Sequence, residues 1–426
     1  MTGVCHTLPV HMSHGFPLYN KLCKRHNYDY YIKFRKKMTF HRTALADEMA
    51  QQLLNPSYLD TSLRSGLFLS GPRRVGKTTF LASDLIPALE NRGAMVIYVD
   101  LWSQPQTNPA DLVHDAIRKS LIELQTPGSR ILKKLKRVSS LSVAGAGLKF
   151  SFQLAHLGKD GGVSLAQAFT ELVDQAKTDV VLIIDEVQHA MGTLEGDHLL
   201  HALKATRDAV NTRNGTPGYF LFVGTGSHRA RVQELAVKGN QAFNGAVTHE
   251  FPVLGQDFVE YILQQVRSTL GAKTPSLPVA EAAFKQMGSR PEELLKALNV
   301  CRQLPQGALA DEHLPTIAQT FGTAAADVEI QKIEALGPLA EAVFSRICNI
   351  GGNVKGSFTG PTLREFSAQL GREVTSGDVQ GVIHLMTSAN LLMRVGHGVY
   401  GVTDSFVEQT WVTRLQAEDI LRTNTP

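Results

Sequence analysis

Gly71-Pro72-Arg73-Arg74-Val75-Gly76-Lys77-Thr78 follows the short apolar run Leu67-Phe68-Leu69-Ser70 and leads into a helical segment, Thr78 to Asn91. The octapeptide fits G-x-x-x-x-G-K-[ST] in full, and its place between a β-favouring run and a helix is the context that gives this pattern meaning. In such a loop the backbone N–H groups turn inward around an anion, Gly76 lets the chain pass close without a side chain, and the positive end of the next helix adds to the attraction. Lys77 then brings charge to the β- and γ-phosphates of a nucleotide, and the Thr78 hydroxyl becomes a ligand for Mg²⁺. The nucleotide-binding set is Gly71, Pro72, Arg73, Arg74, Val75, Gly76, Lys77, Thr78 and Thr79. Arg73 and Arg74 fill variable positions and are expected to point away from the γ-phosphate.

A loop of this kind needs an acidic partner at the end of a neighbouring buried strand. Val180-Val181-Leu182-Ile183-Ile184-Asp185-Glu186 supplies one. Asp185 is expected to hold Mg²⁺ through its water shell. Glu186, one residue on, orients and polarises the attacking water, which makes Glu186 and Lys77 the candidate catalytic residues and Thr78 and Asp185 the candidate metal ligands. A third apolar run, Tyr219 to Val223, ends in Gly224-Thr225-Gly226-Ser227. Thr225 and Ser227 are both candidates to sense the γ-phosphate, Thr225 preferred as nearer the strand end. In Gly288-Ser289-Arg290-Pro291, the proline suits the first turn of a helix and sets Arg290 at its N-terminus. There it is either a second γ-phosphate sensor or a surface arginine.

Outward from these motifs, strands alternate with helices: Ala94 to Leu101 reads as a strand, Asp111 to Leu124 as its crossover helix, Leu165 to Ala176 and Leu194 to Asn211 as helices. The expected fold is α/β, a P-loop NTPase parallel sheet with a helical lid and a C-terminal winged helix. The expected domains are an N-terminal extension over 1–37, an ATPase core over 38–255 with a β-hairpin insertion at about 133–160, a lid over 256–335, and a winged-helix domain and tail over 336–426. The hairpin is read from Val143, Leu148, Phe150 and Phe152 alternating around Gly145 and Gly147. The winged helix is read from three helical segments and the hairpin Leu391 to Val402.

With 426 residues, 43% hydrophobic and 19% charged, the chain is long enough for two or three folded domains. A net charge of +4 asks for no polyanion partner. No apolar run is long enough to span a membrane and the N-terminus lacks a signal peptide's pattern, so a cytoplasmic location is expected. Four scattered cysteines give no disulfide framework; Cys301 and Cys348 read as buried thiols. The stretch Met1 to Lys37, with Cys5, Cys23 and four histidines but no hydrophobic periodicity, reads as a basic disordered extension, absent if translation starts at Met38; a zinc module is the alternative.

The combination resembles the AAA+-related ATPases of the archaeal-type and STAND group, similar to the origin-recognition family. The resemblance rests on Gly71 to Thr79, Ile183 to Gln188, Gly224 to Ser227 and Gly288 to Pro291, and covers roughly Phe40 to Trp411. It implies ATP and Mg²⁺ as ligands, and Walker A and Walker B roles for the first two motifs. Where archaeal-type members carry an arginine shortly before the last sheet residues, this chain has Phe243-Asn244-Gly245-Ala246, with Arg229 and Arg231 as substitutes. The leading reading is an ATP-hydrolysing switch that signals nucleotide state to a protein partner through lid and winged helix. The alternative is a DNA-associated ATPase of loader or transposition-helper kind, against which stands the absence of Lys and Arg from Ser376 to Met386. Homo-oligomerisation stays open.

Overall fold

A computed structural model describes residues 39–57, 61–104, 106–133, 147–158, 161–237, 241–351, 354–396 and 398–423. The expectations for 1–37 lie outside them. Five strands, β1 (Leu67–Ser70), β2 (Met95–Asp100), β3 (Val180–Asp185), β4 (Phe220–Gly226) and β5 (Val247–Glu250), form one parallel sheet in the order β2-β3-β4-β1-β5. The three central strands are buried throughout, as strands covered on both faces must be. Their side chains still alternate between two apolar clusters. Phe68, Leu182, Ile184, Phe220 and Phe222 join one, and Leu67, Leu69, Val181, Ile183, Leu221 and Val223 join the other.

The first face is closed by α4 (Pro109–Gln125), α5 (Leu165–Ala176), α6 (Leu194–Asn211) and α7 (Arg229–Val237). The second is closed by α1 (Thr43–Leu54), α2 (Lys77–Phe80) and α3 (Ile86–Asn91), the last two joined by the π-helical turn Leu81–Leu85. That turn carries the buried Asp84, whose carboxylate accepts from His41 Nδ1 at 2.7 Å and from the Arg42 backbone N–H at 3.1 Å. At the sheet centre, Phe222 stacks on Phe243 at 4.4 Å between ring centroids, with Phe68 edge-on to Phe243 at 5.5 Å. Removing one such ring costs about 3–5 kcal/mol. All five strands end on the same edge of the sheet, with Ser70 level with Gly226 and Glu250, and Asp100 level with Asp185. This edge is where a parallel α/β sheet offers a ligand site.

The expected hairpin at 133–160 is not found where the structure describes it. Residues 134–146 lie outside the described part, and Leu148 to Phe152 form no strand. Their backbone groups find other partners: the Leu148 N–H donates to Leu124 O at 2.9 Å, the Ser151 N–H to Glu171 Oε1 at 2.6 Å, and the Lys149 carbonyl accepts from Gln175 Nε2 at 2.5 Å. Leu148, Phe150 and Phe152 pack into the apolar cluster that α4 and α5 line.

Beyond the sheet come α8 (Gln256–Leu270), α9 (Leu277–Gln286), α10 (Pro291–Arg302) and the long α11 (Ala310–Ala335). This last helix packs on α9 and α10 and then on α12 (Pro338–Ile350) and α15 (Ser405–Thr423), so it ties the helical bundle to the C-terminal part. At Gly322 a Cβ would stand 2.5 Å from the Gln286 carbonyl, which is why glycine sits at that crossing. The C-terminal part continues with β6 (Val354–Lys355), α13 (Gly360–Leu370), α14 (Ser376–Ser388), β7 (Leu392–Gly396) and β8 (Val399–Val402) around its own apolar cluster. Helix, strand, two helices and an antiparallel hairpin follow one another, and β6, β8 and β7 form a three-stranded sheet in that order. Cys301 and Cys348 are buried, and burial pushes both thiols up, Cys301 to about 11. Among the described residues, no helix is long and apolar enough to cross a membrane.

Candidate functional site

The loop after β1 is closed by its own lysine. Lys77 Nζ donates to the carbonyls of Gly71 at 2.8 Å and Pro72 at 2.7 Å. Burial lowers its pKa to about 8, with Glu186 and Asp185 opposing the fall. A buried ammonium held only by neutral carbonyls is a group that an anion would stabilise. Two residues of the loop adopt left-handed backbone, Gly76 at φ 94° and Arg74 at φ 67°. Nothing stands within 4 Å of where a Cβ on Gly76 would be, so the backbone there is open to close approach.

Asp185, 1% exposed, ends β3 beside the loop. Its Oδ2 accepts the Thr78 hydroxyl at 2.7 Å and the Tyr98 hydroxyl at 3.2 Å, and its Oδ1 accepts the Thr225 hydroxyl and the Glu186 N–H. All four donors are neutral, and Asp185 pairs with no basic side chain among the described residues. A buried carboxylate in contact with no basic side chain among the described residues, beside the Thr78 hydroxyl, fits Mg²⁺, which takes few protein oxygens and keeps its waters. Next in sequence, Glu186 has left-handed backbone, φ 57°, at the turn out of the strand. Its Oε2 accepts from Ser227 Oγ at 2.8 Å, from the Ser227 N–H at 3.3 Å and from Gln188 Nε2.

The two expected sensors sit differently from the sequence reading. Thr225 is fully buried, and its hydroxyl is committed to Asp185, so it braces that carboxylate instead of reaching outward. Arg290, 8% exposed, is not a surface arginine. Its Nη2 pairs with Asp404 at 3.3 Å and its guanidinium lies over the Phe406 ring at 5.0 Å. The flat guanidinium finds both an acid and a ring where β8 runs into α15, a pairing too long-range to read from sequence. Gly288 makes the approach close, since a Cβ there would stand 2.8 Å from Phe406. Arg73 also departs from expectation. Its Nε donates to Ser227 Oγ at 3.3 Å, and its guanidinium stands 5.7 Å from the Trp102 ring. Arg74 reaches Glu293 of α10 at 3.8 Å. Arg229, a substitute arginine, is tied to Thr403 O and Glu250, so it faces the C-terminal part.

Other residues join the edge unannounced by any motif. Asp100 ends β2 level with Asp185, and burial raises its pKa, reinforced by Asp185 and Glu186. Burial raises Tyr98 as well, so its phenol stays a donor to Asp185. Trp102, 51% exposed, lies against His189 at 4.7 Å between centroids, and burial lowers the His189 pKa so that the ring is neutral. An acid closing two adjacent strands at the same register was the one signal that could have marked Asp100.

The strand order, the phosphate loop and the paired acids define an ATP-binding P-loop domain. Residues 60–232 match the family described as AAA domain, so this part of the chain is similar to that family. No curated protein matches the sequence. Among solved structures, the Aeropyrum pernix ORC2 protein in its ADP form is 13% identical, with a TM-score of 0.52, covering 89% of this chain and 95% of its own. A Walker-type ATPase of Pyrococcus abyssi is 17% identical, with a TM-score of 0.50, covering 82% of this chain and 91% of its own. At such identities the likeness is one of fold.

Proposed function

We propose that this protein binds ATP with Mg²⁺, hydrolyses it, and signals its nucleotide state to a protein partner through the lid, α8 to α11, and the C-terminal domain. The observation that carries the reading is the convergence of Lys77, Thr78, Asp185 and Glu186 on one sheet edge, with Thr78 and Asp185 in direct contact. Lys77 leaves its carbonyl partners for the phosphates, and the loop N–H groups hold the rest of the anion. Thr78 and Asp185 hold Mg²⁺, which when bound neutralises phosphate charge. Tyr98 and Thr225 keep the Asp185 carboxylate turned toward Thr78. Glu186 takes the proton of the attacking water.

The lid touches the loop through Arg74 and Glu293, so a change at the phosphates has a direct path to α10. A protein partner is favoured over duplex DNA because α14, the helix a winged helix would use for the groove, presents no Lys or Arg and exposes Leu385 instead. The test is amide hydrogen exchange with ATP, with ADP and without nucleotide. Protection of α10 and the C-terminal domain that differs between ATP and ADP is expected. Identical exchange in both would remove the switch while leaving nucleotide binding intact.

A further inference from the structure

The segment after β4 is where the Glu186 carboxylate meets the C-terminal domain. Three donors share Glu186 Oε2: Ser227 Oγ, the Ser227 N–H and Gln188 Nε2. The three donors occupy Oε2 and hold the side chain turned toward the segment after β4, which fixes where its other oxygen, Oε1, can meet water. The direction of the hydroxyl is fixed, because Ser227 Oγ accepts from Arg73 Nε at 3.3 Å and can donate only to Glu186.

Ser227 is gripped from the far side by one corner of the C-terminal domain. Its carbonyl accepts from Asn390 Nδ2 at 3.2 Å. His228 Nε2 donates to Ser388 O at 3.1 Å, and Arg229 Nη1 donates to Thr403 O at 2.6 Å. The Thr403 hydroxyl in turn closes on Asn390 O, so the three contact points form one unit. The joint is incompletely satisfied. Asn390 Oδ1 and Arg229 Nε are buried with no hydrogen-bond partner among the described residues, and Asn390 holds left-handed backbone at φ 61°. Buried unpaired polar atoms gain partners when a joint opens to water, so opening here would satisfy both atoms.

We propose that Asn390 and Ser227 form a relay through which the docked C-terminal domain restrains Glu186, so that fast ATP hydrolysis requires the domain to leave residues 227–229. Both are positioning residues that act through Glu186, and the relay rests on the reading of Glu186 as the group that activates water.

The test measures ATP affinity, the single-turnover hydrolysis rate and the melting temperature for the wild type and four variants. Asn390→Gly removes the amide while keeping the left-handed backbone at ease, and Ser227→Ala removes the hydroxyl alone. Both are expected to hydrolyse bound ATP roughly three- to tenfold faster, the scale of one lost hydrogen bond, and Asn390→Gly to do so with ATP affinity unchanged. Ser227→Thr keeps the hydroxyl and is expected to restore the wild-type rate. Faster turnover in Asn390→Gly carries particular weight, because that residue lies outside the nucleotide site. If the wild type is silent, the two variants are expected to gain turnover, and silence in all of them overturns the relay. Wild-type or slower rates in Asn390→Gly and Ser227→Ala, with Glu186→Gln inactive, overturn the relay and leave the ATPase reading standing. Wild-type turnover in Glu186→Gln overturns both.

Discussion

Two neighbouring strand ends do opposite things in this molecule. The loop after β1 closes on itself, its lysine held by carbonyls five and six residues away. The segment after β4, level with it in the sheet, closes on residues more than 150 positions away, Ser388, Asn390 and Thr403. The first is a self-contained anion cradle, readable as a motif. The second is a joint that exists only through contacts with residues far along the chain. A site built by adjacent strands can thus have one wall fixed by local chemistry and the other set by a domain contact.

The sharpest way to break the comparison is at the cradle. Lys77→Ala is expected to lower ATP affinity roughly a hundred- to a thousandfold, the scale of losing a charge-assisted contact to two phosphates. Its melting temperature without nucleotide should hold, because a penalised buried ammonium is removed. Titration calorimetry and melting together decide this.

Acidity gives a second, smaller effect with a definite sign. Lys77 titrates at about 8 in the folded protein against an ordinary 10.5. Phosphate contact requires the ammonium, so ATP affinity is expected to be flat below about pH 8 and to fall above it, with proton uptake on binding. The Lys77 contribution to the stability of the nucleotide-free protein moves the other way. The unfolded chain keeps this proton up to about 10.5, so the penalty for burying the charge lifts as pH rises from about 8 to 10.5. Calorimetry in buffers of different ionisation enthalpy reads the uptake; affinity that does not fall above pH 8 would mean that Lys77 is not the phosphate contact.

Smaller still is Arg290→Ala, expected to cost about 2 kcal/mol of stability by removing a half-screened ion pair and a cation–π contact. The ratio of ATP to ADP affinity should stay at the wild-type value. A changed ratio with unaltered melting would return Arg290 to the nucleotide. Arg74→Ala comes last. Its 3.8 Å contact with Glu293 has a partner side chain that is 62% exposed on the arginine side, so roughly 0–1 kcal/mol is at stake by denaturant titration.

What the sequence made legible follows the same division. β1, β3 and the octapeptide loop could be read because continuous apolar runs and a fixed spacing are local signals. β5 was hidden: Val247–Glu250 is a four-residue edge strand, half exposed, with Thr248 and His249 breaking any apolar run. Of the expected hairpin, the stretch 147–158 lies among the described residues, and there Glu171 and Gln175 bond to backbone that a partner strand would have paired. Arg290 was placed correctly at a helix start, yet its direction depended on Asp404 and Phe406, over a hundred residues on. The position of Ser227 was visible, but its grip on Glu186 and its tether to Asn390 exist only in the folded arrangement.

The most direct test of the central claim is single-turnover hydrolysis of Mg²⁺-ATP by the wild type and Glu186→Gln, with binding measured in parallel. The account predicts that both bind ATP with similar affinity and that Glu186→Gln hydrolyses it roughly 10²–10⁴-fold more slowly, the usual contribution of a positioned general base. Wild-type hydrolysis in a folded Glu186→Gln protein would contradict it.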